Sequence, residues 1–508
     1  MDRPIIERPM SNLDFPVSRE VSLGSMVGLE AEAGLATDEH GHQNGGGGNP
    51  ILAGMEAPWA NDRFFLADSA GLALLATLIG YGSYWYNYVI GDMLEDWLSR
   101  TGERKYPSDI ESLHLMGGAP LWIPLVWAGC TAVGVMKVLL RLDQYPSFLT
   151  EIRAEHADPK ESAKVVVCCL ASLYSGAALG PEAGLASGGG GLGTVLAELI
   201  SKLGGASFQR GAEARRRLFV LGGITAAFGS IMPAPWVALM ICMECAFAKR
   251  DEDGKEMIIW GRRTLFLLGF TASWAFVVRY AVEPIPELPL SGSKFDERYD
   301  NWMPVKAILL GAIAAFSALV YFVITAVIKV AFAKIGRVIE ARLGVSARII
   351  ALCSLAGLIT GVLGYCVPLS LTDGKAAMAP TALHAPGLSS VNLLCIALAK
   401  TACFGAAAAG GLVGGPFFPV LYIGMVVGEL VSRIQGLGFF PAFTVPVVMV
   451  AMPGAVFPIP FTMVAFPLSM LKLGPLWCVP VLVGVLTSYT LLVGTGFVRK
   501  LAGGAGRG

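Results

Sequence analysis

The sequence predicts an all-α polytopic membrane protein, built from two inverted halves with short re-entrant and interrupted helices. Three observations lead there. Of 508 residues, 54% are hydrophobic and only 15% charged, with mean hydropathy +0.62, whereas soluble domains carry about a quarter charged residues. Several apolar runs reach the roughly 20 residues that span a bilayer. Finally, breaks rich in Gly and Pro recur at corresponding places in the two halves, a pattern that points to a repeat-built transporter with a midplane site.

In chain order, 1–62 is mixed in charge and ends in DEHGHQNGGGGNP, a flexible-linker composition. Without a basic segment leading into an apolar core it is read as a disordered cytosolic tail and not as a secretory signal. The membrane domain is assigned to 63–498, with halves at about 63–283 and 302–498, followed by a short tail, 499–508. The first helix is expected over Phe65–Leu98, where Tyr81, Tyr84, Trp85, Tyr86 and Tyr88 form an interface-type cluster. Leu121–Leu142 follows, and then a polar connector. Ala163–Tyr174 is too short to span alone. Next come the Gly-rich stretch 176–193, a helix from Leu192 to Lys202, and Leu218–Phe247, broken at Met232-Pro-Ala-Pro-Trp236. Thr264–Val282 and an exposed loop, Glu283–Asn301, close the first half. The second half reads as Ala307–Phe332, Ala347–Leu369, Val391–Ala409, Leu412–Val431, Phe443–Ala451, Ala455–Leu473 and Leu476–Leu492.

Formal charge balances to zero, which gives no reason to expect nucleic acid or another polyanion as partner. The ten cysteines are scattered. Cys242 and Cys245 read C-x-x-C, but at helical spacing in a membrane segment they are small buried apolar groups. With five histidines, two of them in the N-terminal stretch at His40 and His42, no metal or cofactor is expected.

Glu182 is the chemical focus. A carboxylate at bilayer depth costs roughly 2.5 to 3.5 kcal/mol on insertion scales, so it must face protein or water. It stands as the lone acid in an apolar, Gly-rich run whose glycines let backbone N–H groups approach a ligand, and the helix after it points a positive end back at the site. Gly180-Pro181-Glu182 has its echo in Gly415-Pro416-Phe417, and Met232-Pro-Ala-Pro-Trp236 in Phe457-Pro-Ile-Pro-Phe461, in the same order. Such prolines suit helices whose freed backbone groups face a cavity.

These residues resemble the CLC family of chloride channels and proton-coupled anion exchangers. GPEAG at 180–184 is similar to the family's G-K/R-E-G-P loop, with Glu182 in the gating position. GGPFFP at 414–419 is similar to its G-x-F-x-P loop, and PSFLTEI at 146–152 to a degraded G-S-G-I-P-E motif. The resemblance covers about Phe65–Leu492 and implies an anion site formed by Ser147, Phe148, Gly180, Gly415, Phe417 and Phe418. It also implies a proton path through Glu182 and Glu244, and a homodimer in a lipid bilayer with chloride as the transported ligand. Four features depart from the family pattern: Pro181 replaces the basic residue before the gate, Ala183 follows it, Cys245 stands where exchangers carry an inner glutamate, and no tyrosine lies near Leu473–Trp477. The paired cytosolic CBS domains of eukaryotic members are not seen.

By residue type alone, Ser147 also reads as a helix N-cap, the phenylalanines as packing, Glu244 as an interface residue near Lys249 and Arg250, and Lys472 as a snorkelling cation. The expectation is a non-enzymatic anion channel, or a weakly coupled anion transporter, gated by Glu182. A proton/chloride antiporter is the alternative. An intramembrane protease would need a serine beside His384, which TALHAPG lacks, and a cation transporter would need paired acids.

Overall fold

The computed structural model describes residues 62–494 except 104, 146–147, 210, 248–260, 284–298 and 458. The first half contains α1 (Asp62–Tyr88), α2 (Leu94–Gly102), α3 (Ile110–Leu113), α4 (Trp122–Leu140), α5 (Phe148–Ala154) and α6 (Pro159–Tyr174). It continues with α7 (Glu182–Leu203), α8 (Ala206–Gln209), α9 (Ala212–Ile231), α10 (Pro235–Phe247) and α11 (Arg262–Val282). The second half contains α12 (Met303–Cys366), α13 (Lys375–His384), α14 (Ser390–Ala409), α15 (Phe417–Val431), α16 (Pro441–Val456), α17 (Pro460–Met470) and α18 (Cys478–Tyr489). Seven segments among the described residues are long and apolar enough to cross a membrane. The helices α10, α15, α16 and α17 are apolar but shorter. Held inside the protein, they satisfy their end groups there and not in lipid.

Packing follows the repeat. In the first half α7 lies on α6 and α9, and α9 on α10 and α11; in the second, α15 lies on α14 and α16, and α16 on α17 and α18. Prolines set the breaks in both halves. Pro235 opens α10 and Pro460 opens α17, the first-turn position where a missing N–H costs nothing.

Several expectations shift. The first span turns through a π-helical step at Val89–Met93 before α2. The pieces Ala307–Phe332 and Ala347–Leu369 are joined by continuous helix, broken only at Gly344, which has φ 83°. Most informative is α7. A helix was expected only from Leu192, yet it begins at Glu182 and runs straight through the glycines. Glycine lowers helix propensity by about 1 kcal/mol, and here close interhelical contact offsets it. A Cβ at Gly189 would strike the Gly223 carbonyl, one at Gly223 the Gly189 carbonyl, and one at Gly193 the Phe219 carbonyl. The glycine run thus seats α7 on α9, as small residues do between membrane helices. It does not line an ion site. Composition is silent on this difference, because an amide exposed to a ligand and one pressed on a neighbour need the same residue.

The tail 1–61, Ser147, Lys249, Arg250 and most of the loop Glu283–Asn301 lie outside the described residues.

Candidate anion site

The two halves meet at a pair of glycines. Gly180 donates its N–H to Gly415 O at 2.7 Å, and Gly415 returns the bond to Gly180 O at 2.8 Å. Each glycine is followed by a proline, Pro181 or Pro416, at the N-cap of α7 or α15. Proline brings no N–H, and Pro419 brings none either. The donors left at the tip of α15 are therefore the amides of Phe417 and Phe418, carrying the partial positive charge of the helix start.

Glu182 reaches across to them. It is the first residue of α7 and wholly buried, and its Oε1 accepts from Phe417 N at 2.5 Å. Oε2 lies over Gly180 and has no hydrogen-bond partner among the described residues. A Cβ on either Gly180 or Gly415 would collide with this carboxyl group, so glycine at both positions is a matter of space. Titratable groups near Glu182 are the phenols of Tyr86, Tyr145 and Tyr321, the Cys169 thiol and one carboxylate, Asp373. Asp373 lies in the loop before α13, where burial pushes its carboxyl up from the ordinary range, while the Lys375 amide, lysine charge and Lys400 pull it down.

Aromatic rings close the second-half side. Phe417 packs edge-on to Phe418 (5.5 Å between centroids) and Phe466 (5.6 Å), and lies tilted against Phe457 (6.0 Å). Phe457 comes from the Pro-rich break and Phe466 from α17, so two elements distant in sequence shield one amide from water. The loop before α15 is pinned by residues that motif reading missed. Lys137, buried on α4, donates to Gly411 O at 2.6 Å, and Ser172 accepts from Val413 N at 3.1 Å. The Tyr145 hydroxyl accepts from Gly414 N at 3.2 Å, with Gly414 O at 3.3 Å as its acceptor. Nothing in the local sequence marks these three, because their partners are backbone atoms far along the chain.

The structure brings Gly180, Glu182, Gly415, Phe417 and Phe418 together. Ser147 is outside the described residues, and Phe148 is the first residue of α5. Glu244 lies elsewhere. Its carboxylate takes the amides of Phe461 (2.9 Å) and Thr462 (2.8 Å) and the Thr462 hydroxyl (2.5 Å), capping α17. Nor is Glu182 the lone buried acid. Asp68, Glu151, Glu155 and Glu429 are buried too. Asp68 pairs with buried Arg215 at 2.6 Å, but among the described residues Glu151 bonds Ser187 Oγ alone, at 2.9 Å, and its Oε2 has no hydrogen-bond partner. Nothing local marks these acids as buried: Asp68 and Glu151 sit on helices whose inner face is fixed by packing, Glu155 just beyond α5, and Glu429 near the end of α15.

Comparisons with known proteins agree with this geometry. The family model described as voltage gated chloride channel matches residues 125–492. No curated protein matches the sequence. Among solved structures, a slow cyanobacterial Cl−/H+ antiporter superposes with TM-score 0.65 at 13% identity, covering 87% of this chain and 99% of that one. A CLC-type fluoride/proton antiporter gives TM-score 0.61 at 14% identity, covering 85% of this chain and 96% of the other. A eukaryotic CLC transporter gives 0.59 at 14% identity, covering 87% of this chain and 74% of its own.

Proposed function

The chain belongs to the voltage-gated chloride channel family, a multi-pass integral membrane protein, and from that premise we propose that it is a weakly proton-coupled transporter of small inorganic anions, chloride first, gated by Glu182. The observation that carries this reading is the Glu182 carboxylate, buried on the Phe417 amide where the two halves meet. A carboxylate there occupies the position a dehydrated anion would take. Backbone amides at a helix start offer partial charge without a full cation to trap the ion. Protonation, or competition by an anion, releases the side chain and opens the path. Its partners on this reading are the lipid bilayer and a second copy of the chain; no cofactor or catalytic group takes part. Two structurally similar proteins are proton antiporters, which supports a proton in the cycle, and Cys245 in place of an inner glutamate supports weak coupling.

Reconstituted vesicles test it. Wild-type protein is expected to carry chloride, with flux rising as pH falls and Glu182 is discharged. In Glu182→Ala the flux should persist and lose its pH dependence. If that variant keeps the wild-type pH response, Glu182 is not the gate.

A further inference from the structure

The corner where α12 turns back on itself gathers positive charge that no carboxylate answers. Its two arms meet at Gly344, and near the turn they press together, Gly336 of the first against Leu352 and Arg348 of the second. Glu340 is the only acid in α12, and Arg348 binds it at 3.1 Å. The same guanidinium takes Asp143, just past α4, at 2.9 and 3.1 Å. Arg141, Lys334, Arg337 and Arg342 are exposed and form no ion pair among the described residues. Around these cations the helix surface is apolar: Val327, Val330, Ile335, Val338 and Leu343 are all exposed.

Length decides where this stretch sits. The first arm, Met303 to Leu343, rises roughly 1.5 Å per residue and is about 60 Å long. A bilayer with its headgroups is about 40–45 Å thick. Tilted by about 40°, the upper end of the range for membrane helices, the arm still stands about 47 Å along the normal. Its ends therefore lie among headgroups. There the exposed valines face acyl chains, and Lys334 and Arg337 reach outward along their own stems.

We propose that the turn of α12 is a binding site for anionic phospholipid, its phosphates held by Arg141, Lys334, Arg337 and Arg342. A soluble polyanion would match the charge and leave the valines bare. A neutral lipid would match the valines and leave the cations unanswered. Anionic lipid answers both, and the planar fork of arginine takes two phosphate oxygens at once. Neutralising this cluster also relieves repulsion on Arg348, which ties the turn to α4 through Asp143, so bound lipid steadies the turn. The site is independent of the anion-conducting reading, since no conducted ion enters it.

The test uses full-length protein in detergent, with the thermal unfolding midpoint read as phosphatidylglycerol or phosphatidylcholine is added. Phosphatidylglycerol should raise the midpoint in a saturable way, and phosphatidylcholine should not. Each cation near an anionic surface is worth about five-fold in binding, so R337Q/R342Q should need about 30-fold more phosphatidylglycerol for half the rise. The matched control is K202Q/R216Q, which removes the same charge from two cations that already face Glu198 and Glu213. It should respond like wild type. Equal effects of the two lipids, a wild-type response in R337Q/R342Q, or an equal loss in the control each overturns the proposal. So does inorganic phosphate that protects as well as the lipid, which would make the corner a plain anion site. No flux is read, so a failure here leaves the conduction reading standing, and the converse holds.

Discussion

The starts of α7 and α15 are built alike and work differently. Each is a glycine, an N-cap proline and a first helical residue, and the two glycines are bonded to each other. On α7 the first residue is Glu182; on α15 it is Phe417. One helix supplies the negative group and the other the amide that holds it, so a single side chain breaks the symmetry of the frame. The same physics recurs with less freedom at Glu244, which caps α17 with both oxygens bonded. It recurs in the open at Asp300, which accepts from the Trp302 amide at 3.2 Å ahead of α12. A carboxylate at a helix start is thus a half-satisfied buried group, a rivet or a surface cap, according to how many of its oxygens are bonded and whether water can reach it.

The sharpest way to break the comparison is Gly415→Ala. Its Cβ would fall on the Glu182 carboxyl, the movable end of a side chain, and push it off Phe417. A hydrogen bond to a charged group is worth about 1.5–3 kcal/mol, so the shut state should lose roughly ten-fold or more in population. Flux measured at neutral pH should rise accordingly and depend less on pH; an unaltered pH profile would show that the two groups do not compete for space. Glu244→Ala comes next. It strands two amides and a hydroxyl, costing about 1–3 kcal/mol, and should lower the thermal unfolding midpoint in detergent without touching the pH response of flux. A variant as stable as wild type would demote the cap to decoration. The smallest effect is expected of Asp300→Asn. The Trp302 amide and then Lys306 hold the Asp300 carboxyl below its ordinary value of 3.8. A depressed folded-state pKa adds stability above the unfolded value and loses it as pH falls through the folded one. The variant's deficit, on the order of a degree in Tm, should therefore be present at neutral pH and vanish in acid once pH has fallen through the lowered folded-state value. A deficit that grows in acid would reverse the sign argued here.

Much of this was legible in the residues. The paired Gly-Pro starts and the Pro-rich breaks appear in the sequence because proline and glycine act through backbone geometry, which is local. The Glu182–Phe417 pairing was visible only as two halves of a repeat. Its contact needed the fold. The role of Gly188–Gly191 was misread, since composition cannot say whether an approaching backbone belongs to a ligand or to a helix. Lys137, Tyr145 and Ser172 carry no motif, and Glu151 stands in the PSFLTEI stretch with nothing local to mark it as buried. Each is recognised by a partner that burial alone brings near, Gly411, Gly414, Val413 and Ser187 in turn.

At the centre of the join between the halves the contact is backbone to backbone. Two peptide groups, of Gly180 and Gly415, hold each other, and every other residue type could drift while that clasp survived, provided nothing larger than hydrogen replaced the two α-substituents. Architecture anchored in main chain is inherited differently from architecture anchored in side chains. It permits a shared shape at 13% identity, and, on the gating proposed for Glu182, it leaves the frame clasped while the carboxylate moves.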